Sequence, residues 1–139
     1  MNFDSLANLP DYLLFLGSAV LVWAVALAVY ELVTPIREFE EIRKGNIAVA
    51  LNTFAVAIAL ALPIQSVGHS TYNPGDVLLW GAIGCVCQIV LHLVIRLFWK
   101  TTYGRLVARG DDKPCIASAL LLSSFSLVVG VLNAAALSY

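Results

Sequence analysis

The 139-residue chain is 60% hydrophobic and 12% charged, with a formal net charge of −1 and a mean hydropathy of +0.88. A soluble domain is ordinarily about 45–50% apolar and about 25% charged, and so few charges cannot cover a soluble surface of this size. The composition excludes a soluble enzyme, a disordered chain, a disulfide-stapled scaffold and a basic nucleic-acid binder, and leaves an integral membrane protein in contact with the lipid bilayer.

Four windows reach the roughly 20 apolar residues that a spanning helix needs. They are Tyr12–Tyr30, Gly45–Gly68, Val77–Ile95 and Pro114–Tyr139, and none contains Asp, Glu, Lys or Arg. Within hydrocarbon only helices and closed barrels satisfy the backbone, and these runs are too long and too continuously apolar for barrel strands. The expected fold is an all-α membrane domain of four transmembrane helices. Asp4 and Asp11 precede the first window without any Lys or Arg. That flank reads as the start of a span and not of a signal peptide.

The segment after span one, Pro35–Lys44, places Ile36, Phe39 and Ile42 at three-residue spacing, with Arg37, Glu38, Glu40, Glu41, Arg43 and Lys44 on the remainder. This predicts a short amphipathic helix at the headgroup surface with its charges in water. Gly45-Asn46 reads as the turn into span two. Span three carries Gln88, His92 and Arg96 at i, i+4 and i+8, on the face that also holds Gly81, Gly84 and Cys85. With Asn52 of span two and Asn133 of span four, these residues form a candidate polar path; otherwise they are interhelical hydrogen bonds within a packed bundle. In the second loop Trp99, Tyr103, Leu106 and Val107 repeat the amphipathic pattern. Gly110-Asp111-Asp112-Lys113-Pro114 is a turn with Pro114 at the first helical position. Span four carries Ser126, Gly130, Ala134 and Ser138 at four-residue spacing, extended by Ala119 and Ser123. Such small-residue stripes allow close helix approach, so Ser126, Gly130, Ala134 and Gly81 are expected in a compact bundle or a homo-oligomer. Trp80, Trp99, Tyr12, Tyr72 and Tyr139 mark interfaces.

All eight basic residues fall between spans one and two or between spans three and four. The positive-inside rule then places both charged loops in the cytoplasm and both termini outside. The chain also reads as one domain made of two tandem helical hairpins, repeat 1 at about 12–68 and repeat 2 at about 77–139. Gly45 and Gly110 are 65 residues apart, as are Glu31 and Arg96, and Ile47-Ala48-Val49-Ala50 is echoed by Ile116-Ala117-Ser118-Ala119 at a spacing of 69. Two spans per unit give both copies the same orientation.

Cys85 and Cys87 lie two apart within a span and point to different helix faces, and Cys115 lies outside it. No disulfide framework or metal site is expected from them. The sequence contains no Ser-His-Asp arrangement, HExxH, phosphate loop or paired intramembrane carboxylates, so no enzymatic activity and no cofactor are expected.

The chain resembles the YjfL-like bacterial inner-membrane proteins, the domain of unknown function 350, over nearly its whole length. The matching residues are Thr34-Pro35, Ile42, Gly45-Asn46, Ala48 and Ala50; Asp76, Trp80-Gly81, Gln88 and Arg96; and Gly130 with Asn133-Ala134-Ala135. Gly110-Asp111-Asp112-Lys113-Pro114 departs from the Gly-Asn-like turn of the family. The resemblance implies a bacterial inner-membrane protein with four spans built from two hairpin copies. It also implies a gene neighbourhood of ATP-grasp ligases and envelope-stress proteins, and hence cytoplasmic or membrane protein partners. It implies no activity. The expected role is an oligomeric scaffold or the membrane subunit of an envelope-associated system. The alternative is a small channel or transporter with its path along span three, and a pH or redox sensor using His69, His92 or Cys115 is a third.

Overall fold

The computed structural model describes residues 7–107 and 110–138. Ala108, Arg109 and Tyr139 lie outside them, as does Asp4. Six helices follow in order: α1 (Leu9–Val33), α2 (Glu38–Arg43), α3 (Ile47–Ser70), α4 (Pro74–Phe98), α5 (Lys100–Gly104) and α6 (Ile116–Ala136). Four of them, α1, α3, α4 and α6, are long and apolar enough to cross a membrane. The chain is a four-span helical membrane protein, and the short helices α2 and α5 sit together at its basic end.

Local chemistry sets the boundaries. Thr34 precedes Pro35 and is extended (φ −87°, ψ 141°), which closes α1 because a proline disfavours helical geometry in the residue before it. Asn46 caps α3 through Oδ1, which accepts from Val49 N at 3.1 Å. Its Nδ2 donates to Leu106 O at 2.8 Å and ties the first loop to the second. Gly45 (φ +85°) and Gly110 (φ +63°) are the positive-φ residues among those described, a conformation that suits glycine at each loop turn. Asn73 and Pro74 start α4 three residues before the expected Val77. Pro114 is not the first helical residue of α6. Cys115, which is extended, occupies the N-cap position, and its N–H donates to Arg105 O at 2.8 Å, drawing this strand of loop back onto α5.

The bundle is centred on α3, where 56% of the most apolar stretch is buried against 11% in α1. Its most extensive contact is with α6; α4 packs on both, and α1 lies outside, mainly against α4. One apolar core joins Val22, Ala26, Val56, Leu60, Ile64 and Ile89. A second, at the basic end, joins Ala48, Val49, Leu106, Ala119 and Leu122. Trp23 fastens α1 to α3 by donating from Nε1 to Ala57 O at 2.9 Å.

The helices approach most closely around Pro63. A proline removes the N–H that would bond to the carbonyl of residue i−4, here Ala59. A Cβ built on Gly130 would lie 2.9 Å from Ala59 Cα and 3.1 Å from Ala59 O. A Cβ on Gly84 would lie 2.7 Å from Pro63 Cβ. One turn of α3 therefore touches both α4 and α6 through glycines. The Gly130 stripe is used inside the chain, between α6 and α3. Gly81 is less confined, because a Cβ there would meet Ile64 and Val22 at an ordinary 3.6 Å. Ala134 contributes its carbonyl, which accepts from Ser66 Oγ at 2.7 Å.

Candidate functional site

Helix α5 packs on α6 and α4, with Tyr103 in the core that also holds Ala48 and Val49 of α3, and α2 packs on α3. Between them Glu38 is 1% exposed. This corrects the expectation that Glu38 shares the solvated face of its helix. The apolar face is also split: Phe39 is 44% exposed, while Ile36 and Ile42 pack, partly buried, against the core. The physical reason is the set of donors waiting for the carboxyl. Tyr30 OH donates to Oε1 at 2.6 Å, Thr53 Oγ1 to Oε2 at 2.5 Å, and Tyr103 OH to Oε1 at 3.3 Å. A buried carboxyl is tolerable when its lone pairs are satisfied this way. Burial still raises the Glu38 carboxyl above the ordinary carboxylate range, and the hydrogen bonds from Thr53 and Tyr30 only oppose that rise. Tyr103 is also raised, by burial first and then by the neighbouring Glu38.

From Glu38 the hydrogen bonds run into the bundle. Tyr30 OH is 3.1 Å from His92 Nε2, and His92 Nδ1 is 3.1 Å from Ser126 Oγ. Asn52 Nδ2 donates to Tyr30 OH at 3.5 Å, while Asn52 Oδ1 is buried without a partner among the described residues. Gln88 Nε2 donates to Ser126 O at 3.2 Å. Asn133 Nδ2 donates to Gly84 O at 2.8 Å and to Gln88 Oε1 at 3.4 Å. The side-chain relay thus reads Glu38, Tyr30, His92 and Ser126 Oγ, and the Gln88 and Asn133 amides extend the network from the Ser126 backbone carbonyl. The network starts at the basic end and closes where Leu137 Cδ1 would stand 2.8 Å from a Gly84 Cβ.

The expected polar residues come together in part. Gln88, His92, Asn52 and Asn133 belong to this one network. Arg96 does not; its guanidinium lies over the Tyr103 ring, 4.6 Å from the centroid. Ser126, expected only as a packing residue, receives both His92 and Gln88.

The network admits two donor directions. In the first, Glu38 is ionised: Tyr30 donates to it, His92 Nε2–H donates to Tyr30, and Ser126 donates to Nδ1. In the second, Glu38 is protonated. Its proton lies on Oε1 and is donated to Tyr30 OH, while Thr53 keeps its bond to Oε2. Tyr30 then donates to His92 Nε2, and Nδ1–H donates to Ser126. With the proton on Oε1, the bonds from Glu38 through Tyr30 and His92 to Ser126 Oγ are reversed without moving a heavy atom. Both ring nitrogens of His92 serve, which is what a relay requires of it.

A family model described as Domain of Unknown Function (DUF350) matches residues 4–137. The chain belongs to the DUF350 family. It is similar to the UPF0719 inner membrane protein YjfL of Escherichia coli K12, at 24% identity over 98% of this chain and 97% of that protein. It is also similar to the UPF0719 transmembrane protein YshE of Bacillus subtilis 168, at 33% identity over 64% of this chain and 66% of that protein. No solved structure matches it. For this DUF350 protein the sequence reading missed Tyr30, Glu38, Thr53 and Tyr103. One signal was present: Glu38 and Tyr103 are 65 residues apart, the spacing of Gly45 and Gly110.

Proposed function

We propose that this protein is a small proton-conducting or proton-coupled transport module of the bacterial inner membrane, with its basic loops in the cytoplasm. The supporting observation is the unbroken hydrogen-bonded chain from the Glu38 carboxyl through Tyr30 to His92 and Ser126. Ionisable groups inside a membrane bundle usually mark ion routes, and these are arranged in series. Glu38 takes a proton at the cytoplasmic end. Tyr30 passes one to His92 Nε2 as it accepts one from Glu38, and His92 releases one from Nδ1 toward Ser126.

The test is proton flux in proteoliposomes under a potassium-valinomycin potential, read with an internal pH dye. Tyr30→Phe and His92→Ala are expected to reduce flux at least tenfold, while the exposed Gln65→Ala leaves it intact. Wild-type rates in both relay variants would remove these residues from any route.

Closure of the outer end by Leu137 against Gly84 favours a second reading, the scaffold or membrane subunit, in homo-oligomers or with other proteins. No flux from folded wild-type protein would select it. The same proposal takes the two long–short–long helix units as tandem copies. Support comes from the matched glycine turns and from Glu38 meeting Tyr103 across equivalent positions.

Orientation has its own test. Cys85 is buried and Cys87 lies within span α4, whereas Cys115 is half-buried at the basic end. The Ser118 hydrogen bond lowers its thiol below the ordinary value, which favours the reactive thiolate. A membrane-impermeant maleimide is expected to label Cys115 in inverted vesicles and not in intact cells. Labelling from outside would reverse the topology.

A further inference from the structure

A cleft of about 550 Å³ opens between α2 and α5 at the basic end. Its charged lining is Arg37, Glu40, Glu41 and Lys44 from the first loop, and Arg96 and Lys100 from the second unit. Lys44 is already engaged: its Nζ lies 3.1 Å from Glu40 and 3.0 Å from Glu41. Arg37, Arg96 and Lys100 have no carboxylate partner among the described residues. Four cations against two carboxylates leave the cleft with a formal charge of +2.

The floor of the cleft is Tyr103. Its ring carries the Arg96 guanidinium on one face, and its hydroxyl reaches down to Glu38. The cations are therefore not spread over a solvated loop. They converge from both halves of the chain on one concavity, at the level where the spans leave the apolar zone. Guanidinium forks match the several oxygens of a phosphate, and an ammonium adds a point charge. Basic pockets at the cytoplasmic ends of spanning helices are suited to anionic headgroups.

We propose that this cleft binds one phosphate group, held by Arg96 and Lys100 on one wall and by Arg37 on the other. The phosphate belongs to an anionic lipid headgroup or to a free phosphate compound, and in either case it competes with the Tyr103 ring for Arg96. The site does not depend on the proton-relay reading.

Purified protein in neutral detergent is titrated with inorganic phosphate by calorimetry, and separately with phosphatidylglycerol against phosphatidylcholine by native mass spectrometry. Variants are Arg96→Gln/Lys100→Gln and, as a control outside the cleft, Arg43→Gln. Binding at least tenfold weaker in the double variant, and unchanged in the control, is the expected result. Inorganic phosphate binding with that dependence assigns a free phosphate compound; retention of phosphatidylglycerol alone assigns a headgroup. Equal binding by wild type and double variant, or no binding of either probe, overturns the site. Should the double variant fail to fold, the salt dependence of wild-type binding decides. Affinity for both probes that is indifferent to ionic strength overturns it as well.

Discussion

Gly130→Leu is expected to abolish the folded bundle, with no monodisperse peak in detergent. The added Cβ alone would sit 2.9 Å from Ala59 Cα, 3.0 Å from its Cβ and 3.1 Å from its carbonyl oxygen. Two of these three atoms are backbone, so no side-chain rotation relieves the clash. Helices α3 and α6 must separate, and theirs is the largest contact in the molecule. Separation also breaks bonds that depend on it, such as Ser123 Oγ to Leu51 O at 3.3 Å and Ser66 Oγ to Ala134 O at 2.7 Å. Overpacking typically costs about 1–3 kcal/mol, so Gly130→Ala should leave a folded but measurably less stable protein. Gly17→Ala is the matched control, because nothing lies within 4 Å of a Cβ there. Its melting temperature should be unchanged or slightly higher. Since Gly130 faces α3, Gly130→Ala should leave subunit number unchanged. A Gly130→Leu protein that elutes and melts like wild type would refute the close approach.

Spans were legible because hydrocarbon imposes a coarse rule: length and absence of charge suffice, and each expected window overlaps a long helix. Small-residue stripes were legible for the same kind of reason, but not their partner. Spacing places Gly130 on a helix face without saying whether that face meets a second copy or, as here, α3. Polar residues inside spans stood out against an apolar background, which is why Gln88, His92, Asn52 and Asn133 were found. Glu38 did not stand out. It sits among five other charged residues in ten, and a six-residue helix has too few turns for its pattern to fix which face is buried. Three hydroxyls from α1, α3 and α5 decided that face, and they are 8, 15 and 65 residues away. Tyr30 was hidden by its position at a span end, where an aromatic residue ordinarily marks the interface.

Glu38→Gln is expected to separate the fold from the relay. The amide keeps the shape of the carboxyl: its oxygen accepts from Tyr30 and Tyr103, and its nitrogen donates to Thr53, whose hydroxyl turns to Val49 O. Folding therefore survives, but the side chain no longer takes up or releases a proton, and flux should fall at least tenfold. Stability should change with pH in a defined sense. In wild type, burial raises the folded-state pKa of Glu38 above its unfolded value. Below the unfolded value both states are protonated and no penalty exists. As pH rises from there to the folded value, the unfolded chain loses its proton first, so stability declines; above the folded value the loss is complete and constant. Melting temperature in detergent should thus fall through that window in wild type and lose this component in Glu38→Gln, which becomes the more stable of the two at the alkaline end. Glu38→Ala behaves differently, because Tyr103 OH loses its acceptor inside the bundle. A buried unsatisfied group costs about 1–3 kcal/mol, and that loss appears at every pH. Identical pH slopes in wild type and Glu38→Gln would mean that the carboxyl is not held protonated by its burial. Intact flux in Glu38→Gln would place the proton entry elsewhere. The two readouts fail independently, so a structural carboxyl and a conducting one are told apart.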